Sequence, residues 1–150
     1  MKANEVIKVK LPQGWSDYAR ENPEGPATFV RDINDEPSVF QVSFALQRSG
    51  EIPDPSCEDL IELAKSTGEN MPAGDLIKTS SGTCVFGIFG TAIFKSKETP
   101  RTQIWYFSNG CNFILATHIC PGVPEPDELT EVQAMVNDLY IAKRPFWKLR

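Results

Sequence analysis

Apolar and polar residues alternate along most of this chain, and the alternation breaks in only two places. In "VIKVKLP", Ile7, Val9 and Leu11 alternate with Lys8 and Lys10, which predicts a half-buried strand ending at Pro12. "SDYARENPEGPA" is rich in turn formers and reads as a loop, "TFVRDI" as a second strand and "SVFQVSFALQ" as a third. The period then changes. In "DPSCEDLIELAKSTG", Cys57, Leu60, Ile61 and Ala64 share one helical stripe. Ser56 is placed as N-cap with Asp59 three residues on as its capping-box partner, and Gly68 is placed to close the helix. Period two returns in "DLIKT", "TCVFGIFGTAIFK", "TQIWYFS" and "CNFILATHI". Asn109-Gly110 between the last two predicts a tight hairpin. "EPDELTEVQAMVNDLYI" closes the pattern with Leu129, Val132, Met135, Val136 and Leu139 on one helical face and acids in its first turn. The sum is an α+β domain: an antiparallel meander with one helix inserted mid-chain and another at the end.

At 150 residues the chain fits one domain, 1–150, with a core over about 5–141 and a basic, aromatic arm over 142–150. Net charge is −5, which argues against nucleic acid or an anionic membrane surface as a general partner. Charge is uneven: residues 51–100 hold eight acids and four bases, whereas "KRPFWKLR" holds four bases and no acid. No apolar run resembles a signal peptide or a bilayer span, so the expectation is a cytoplasmic protein with reduced thiols and no membrane insertion.

The chemistry with the widest scope lies in "NGCNFILATHIC", which holds two of four cysteines and the single histidine. A two-residue turn at Asn109-Gly110 would pair Arg101 with His118, Gln103 with Ala116, Trp105 with Ile114 and Phe107 with Asn112. His118 and Cys120 then share a face, and Cys111 lies on the other. Cys111 and Cys120 cannot converge on one metal, and no CxxC or Cys–His knuckle occurs, so neither a metal nor a cofactor is expected. A catalytic Cys120–His118 pair is the alternative reading, but no acid is evident to orient the imidazole. Packing at a sheet margin is the preferred one. "GIFG" at 87–90 lacks the downstream Lys and helix of a phosphate loop and reads as a bulge or a close backbone approach. Cys57, at a helix start where a thiol can be activated, is read as a small core residue.

The order of elements carries a resemblance. An opening strand running into "LPQGW", a β-hairpin, the helix "CEDLIELAKS", the meander ending "IWYFSNGCNFILATHI" and a final amphipathic helix resemble the PsbP-like (DcrB-like) superfamily over residues 5–141. The resemblance implies an α/β/α sandwich and a mostly non-enzymatic family of protein binders. These include a photosystem extrinsic subunit, a Ran nucleotide-release factor and chaperones for type VI secretion effectors. It supplies no functional motif that transfers residue by residue.

The function expected from these readings is a non-catalytic protein-binding module, adaptor or chaperone-like, that engages a protein partner or a second copy of itself through an aromatic sheet face. Trp105 and Phe107, with Arg101 and Gln103 on the same hairpin face, are the expected exposed contacts, and Trp147 in the arm is a further one.

Overall fold

Seven antiparallel strands form the main sheet, and the mid-chain helix starts at the capping residue that the side-chain chemistry indicates. The computed structural model describes residues 5–18, 27–33, 35–45 and 55–143. In chain order the elements are β1 (Glu5–Lys8), β2 (Trp15–Asp17), β3 (Ala27–Arg31), β4 (Val39–Phe44), α1 (Cys57–Asn70), β5 (Asp75–Thr83), β6 (Ile88–Lys95), β7 (Arg101–Ser108), β8 (Phe113–Cys120), α2 (Pro126–Asp138) and β9 (Tyr140–Lys143). The seven-stranded sheet runs β2-β3-β4-β8-β7-β6-β5, and β1 pairs separately with β9. The fold class is the expected one: α+β, a large antiparallel sheet with a mid-chain and a C-terminal helix.

Helix α1 begins with the reciprocal capping box. The Asp59 backbone N–H donates to the Ser56 hydroxyl at 3.1 Å, and the Ser56 N–H to the Asp59 carboxylate at 2.8 Å. Its far end differs from expectation. Gly68 lies inside the helix, which runs to Asn70, and a Cβ there would stand 2.2 Å from the Phe94 ring. Gly68 is thus small to admit Phe94, and Met71 occupies the C-cap. Gly90 plays the matching part on β6, where a Cβ would lie 2.3 Å from the Ile61 backbone nitrogen. Both glycines of "GIFG" therefore mark close backbone approaches: Gly90 seats α1 on the sheet, and Gly87 lies against the Ser108 carbonyl.

Helix α2 covers the opposite face. Val132, Met135, Val136 and Leu139 join Trp15, Phe29, Phe40, Phe86, Phe89, Trp105, Phe107 and Ile114 in one buried cluster. On the α1 side Ala64 packs with Ala92, Phe94 and Ile104. Alternation along β7 divides the two cores: Ile104 faces α1 and Trp105 faces α2.

Three boundaries depart from the sequence reading. The run "TCVFGIFGTAIFK" is not one strand. It folds back through 84–87, where the Cys84 N–H donates to the Gly87 carbonyl at 2.8 Å, and the Val85 N–H ties the turn to the Asn137 carbonyl at 2.9 Å. Trp15–Asp17 is a short edge strand rather than loop, and Tyr140–Lys143 is a strand on β1 rather than helix end. The β7–β8 hairpin closes through Asn109–Asn112, four residues instead of two, because the Asn109 side-chain oxygen accepts from the N–H groups of Cys111 (2.9 Å) and Asn112 (2.8 Å). Register accordingly moves by two: Gln103 opposes His118, Arg101 opposes Cys120, Trp105 opposes Ala116 and Phe107 opposes Ile114. A shift of two preserves the faces, so His118 and Cys120 remain together.

The expected contact face is corrected by the structure. Trp105 is 1% exposed and Phe107 0%; Gln103 is buried and Arg101 half-buried. The cause is α2, which lies over this face, together with Phe40, whose ring meets Trp105 edge-on at 5.9 Å. Trp147 and most of the C-terminal arm lie outside the described residues. No helix among the described residues is long and apolar enough to cross a membrane.

Candidate functional site

The polar centre of the molecule forms where β8 ends and α2 begins. His118 and Cys120 are two residues apart on β8, so both point to the α2 face. The segment 121–125, with three prolines or glycines among its five residues, turns the chain so that the first turn of α2 returns over the strand end. That return places Glu128 beside the pair. His118 Nε2 lies 2.7 Å from Glu128 Oε2, and Cys120 Sγ lies 3.4 Å from His118 Nε2 and 3.6 Å from Glu128 Oε2. All three side chains are fully buried. The Trp15 ring stands against the imidazole at 6.3 Å between centroids.

Two arginines flank this centre. Arg31, inward-pointing on β3, approaches Glu128 Oε1 at 3.8 Å and clamps Glu131 through Nε (2.9 Å) and Nη2 (3.3 Å). Trp15 Nε1 donates to the same Glu131 carboxylate at 2.8 Å. The hydrogen bond from Arg31 holds the Glu131 carboxyl below its ordinary range against the opposing effect of burial, and Glu131 in turn raises Arg31. Arg101 donates to Gln103 Oε1 at 2.8 Å, and Gln103 donates to Thr91 at 3.0 Å. Burial lowers Arg101 from its ordinary value. For Cys120, burial first and the neighbouring Glu128 charge second push the thiol up to about 12, against a hydrogen bond from Ser38. The sulfur is a neutral thiol at physiological pH, not an activated nucleophile.

The expectation that Cys111 and Cys120 stay apart holds: Cys111 is exposed at the hairpin turn, and Cys120 is buried. The expectation that no acid orients the histidine does not hold, because Glu128 comes from another element. Its signal in the sequence is its position. Glu128 precedes Val132 by four and Met135 by seven, so it sits on the apolar stripe of α2, where a charge requires a partner. Arg31 carries the same signal, alternating with inward Phe29 on β3.

Above the centre lies a pocket of ≈ 530 Å³ between residues 31–38 and 121–128. Arg31, Ser38 and Glu128 form its floor. Asp35, Glu36 and Glu125 line its wall together with Ile33 and Val123. Ile33 is 66% and Val123 85% exposed, two of the three most exposed large apolar side chains among the described residues.

This architecture is a sandwich of two helices around an antiparallel sheet. No protein-family model matches the sequence. No curated protein matches it either. Solved structures do. The chain is similar to the solution structure of cyanobacterial PsbP (CyanoP) from Synechocystis, at 11% identity over 95% of each chain with a TM-score of 0.57. It is also similar to a protein from Bacteroides thetaiotaomicron, at 13% identity over 99% of this chain and 51% of that one, with a TM-score of 0.52. A third likeness is to LpqN of Mycobacterium tuberculosis, involved in cell envelope biogenesis: 10% identity, 94% of this chain and 84% of that one, TM-score 0.51. At these identities the likeness is one of fold, and the fold is PsbP-like.

Proposed function

We infer that this domain is a non-catalytic protein-binding module whose contact surface is the pocket between residues 31–38 and 121–128. One observation carries the reading: the pocket joins two highly exposed aliphatic side chains, Ile33 and Val123, to three carboxylates, Asp35, Glu36 and Glu125. A partner segment with an aliphatic side chain beside a lysine or arginine matches both features, burying apolar area while its cation meets the acids. The aromatic sheet face, expected to serve this role, is occupied by α2.

The geometry gives the alternative, a Cys120–His118 thiol enzyme, less support. Sulfur and imidazole are both sealed from solvent, so a substrate has no route to the sulfur without displacement of α2 or Ser38. The fold likeness to PsbP and LpqN accords with an accessory role and names no partner for this chain.

Selection from a displayed random-peptide library tests the reading. The expected outcome is a basic-aliphatic consensus whose affinity for the domain falls at least tenfold in Val123→Asp and in Glu125→Lys. No enrichment, or a consensus that binds Val123→Asp unchanged, would remove it.

A further inference from the structure

His118, Cys120 and Glu128 bring an imidazole, a thiol and a carboxylate to one buried point, with a ligand atom of each within 4.8 Å of the others. We propose that this cluster is a binding site for a divalent metal ion of the zinc type, which enters from the pocket at 31–38 and 121–128 as the Ser38 side chain turns aside. The proposal is independent of the protein-binding reading, which uses the pocket wall rather than its floor.

Donor spacing is the first argument. With bonds of about 2.0–2.3 Å, a tetrahedral ion separates its nitrogen, oxygen and sulfur donors by roughly 3.4–3.6 Å. Cys120 Sγ already stands 3.4 Å from His118 Nε2 and 3.6 Å from Glu128 Oε2. The 2.7 Å contact between His118 and Glu128 must widen by about 0.7 Å. Cys120 Sγ also lies 3.7 Å from His118 Nδ1, beside the ring, so the imidazole must turn to aim Nε2 at the point between sulfur and carboxylate. Glu128 sits in the first turn of α2 and Oε2 is the terminal atom of its side chain, so a small χ rotation supplies the widening, and a turn of His118 about χ2 supplies the aim.

Donor chemistry selects the ion. The ion displaces the Cys120 thiol proton to solvent, and the resulting soft thiolate, with imidazole nitrogen and one carboxylate, suits zinc, or cobalt in its place, and not calcium or magnesium, which require oxygen on all sides. Three protein ligands leave a fourth position. Ser38 lies against Cys120 and lines the pocket floor, so the fourth position faces the pocket, where the Ser38 hydroxyl or a water fills it.

Surrounding charge permits a dication. Arg31 is clamped by Glu131 at 2.9 Å, and Arg101 is bonded to Gln103. Against these two cations stand Glu128 and Glu131, with Asp35, Glu36 and Glu125 along the pocket. Sheet and helix also preposition the ligands. His118 and Cys120 are fixed by the β7 and β4 ladders, and Glu128 by the turn through 121–125.

Cobalt titration of chelator-treated protein tests the proposal. One cobalt per chain is expected, with thiolate-to-cobalt charge-transfer absorption and the intense visible bands of a four-coordinate ion, both abolished by added zinc. Cys120→Ser should remove the charge-transfer band, Glu128→Gln should weaken binding at least tenfold, and exposed Cys111→Ser should change nothing. Absence of the band from the unaltered chain, or its survival in Cys120→Ser, would overturn the site. A second measurement guards against variants that fail to fold. A chain carrying Cys57→Ser, Cys84→Ser and Cys111→Ser leaves one thiol, and its zinc-loaded X-ray absorption should show one sulfur at about 2.3 Å. A shell of nitrogen and oxygen alone would contradict the proposal.

Discussion

The carboxylate of Glu128 stands 2.7 Å from the imidazole of His118, ten residues away in sequence, with neither side chain open to solvent. A buried charge of this kind is costly unless its partners are in place, and here they come from two other elements: β8 through His118 and Cys120, and β3 through Arg31. Removing the carboxylate should therefore cost far more than a surface change. Glu128→Ala is expected to lower the unfolding free energy by about 3–5 kcal/mol, because it leaves Arg31 and His118 facing a cavity. Glu128→Gln, which keeps shape and hydrogen bonding, should cost less, on the order of 1–3 kcal/mol. Urea denaturation of the three chains measures both. Equal and small losses would mean that the network does not hold the two elements together.

Trp105 was the expected contact residue on sequence grounds and is a core residue in the structure. Trp105→Ala should destabilise the domain by about 3–5 kcal/mol, as large-to-small changes in tight cores do. Its thermal midpoint would drop accordingly. A loss below about 1 kcal/mol would indicate a loosely packed α2.

The ion pair of Arg31 and Glu131 predicts a direction in pH. Glu131 has a folded-state pKa below its unfolded value, so its contribution is complete above the unfolded value of about 4.3 and is lost as pH falls through the folded one. Stability measured from pH 6 down to pH 3 should fall more steeply in the unaltered chain than in Glu131→Gln. Parallel curves would show that this carboxylate titrates alike in both states.

Close approach of α1 to the sheet makes Gly90 a sharp probe. A methyl group there meets helix backbone at 2.3 Å, whereas one at Gly122 meets nothing within 4 Å. Gly90→Ala should cost about 1–3 kcal/mol, with Gly122→Ala near neutral. Equal behaviour of the two would mean that α1 sits farther from β6.

Much of the fold was legible because its signals are local. The α1 capping box, the strand periods and the shared face of His118 and Cys120 each depend on residues within a few positions of one another. Register differs by two from that of a two-residue turn because the Asn109 side chain closes the hairpin over four residues. The site was half legible for a different reason. Alternation reveals which residues share a sheet face but not which helix lies on it, so the pattern shows neither that Trp105 and Phe107 are covered nor that Glu128 joins His118. Glu128 did carry a sign of its role, a lone acid on the apolar stripe of α2. The pocket had no sequence signature, since its walls come from segments some ninety residues apart that meet only when β3, β4 and β8 pair.

Whether a protein partner binds in this pocket is tested most directly by a photo-crosslinking amino acid placed in the chain within its native cells. Position 123 lies in the pocket wall; position 77, at an exposed Ile on the edge strand β5, serves as the control. The expected result is a discrete protein crosslinked from 123 and absent from 77. Crosslinking from 77 alone, or none from 123, would contradict it.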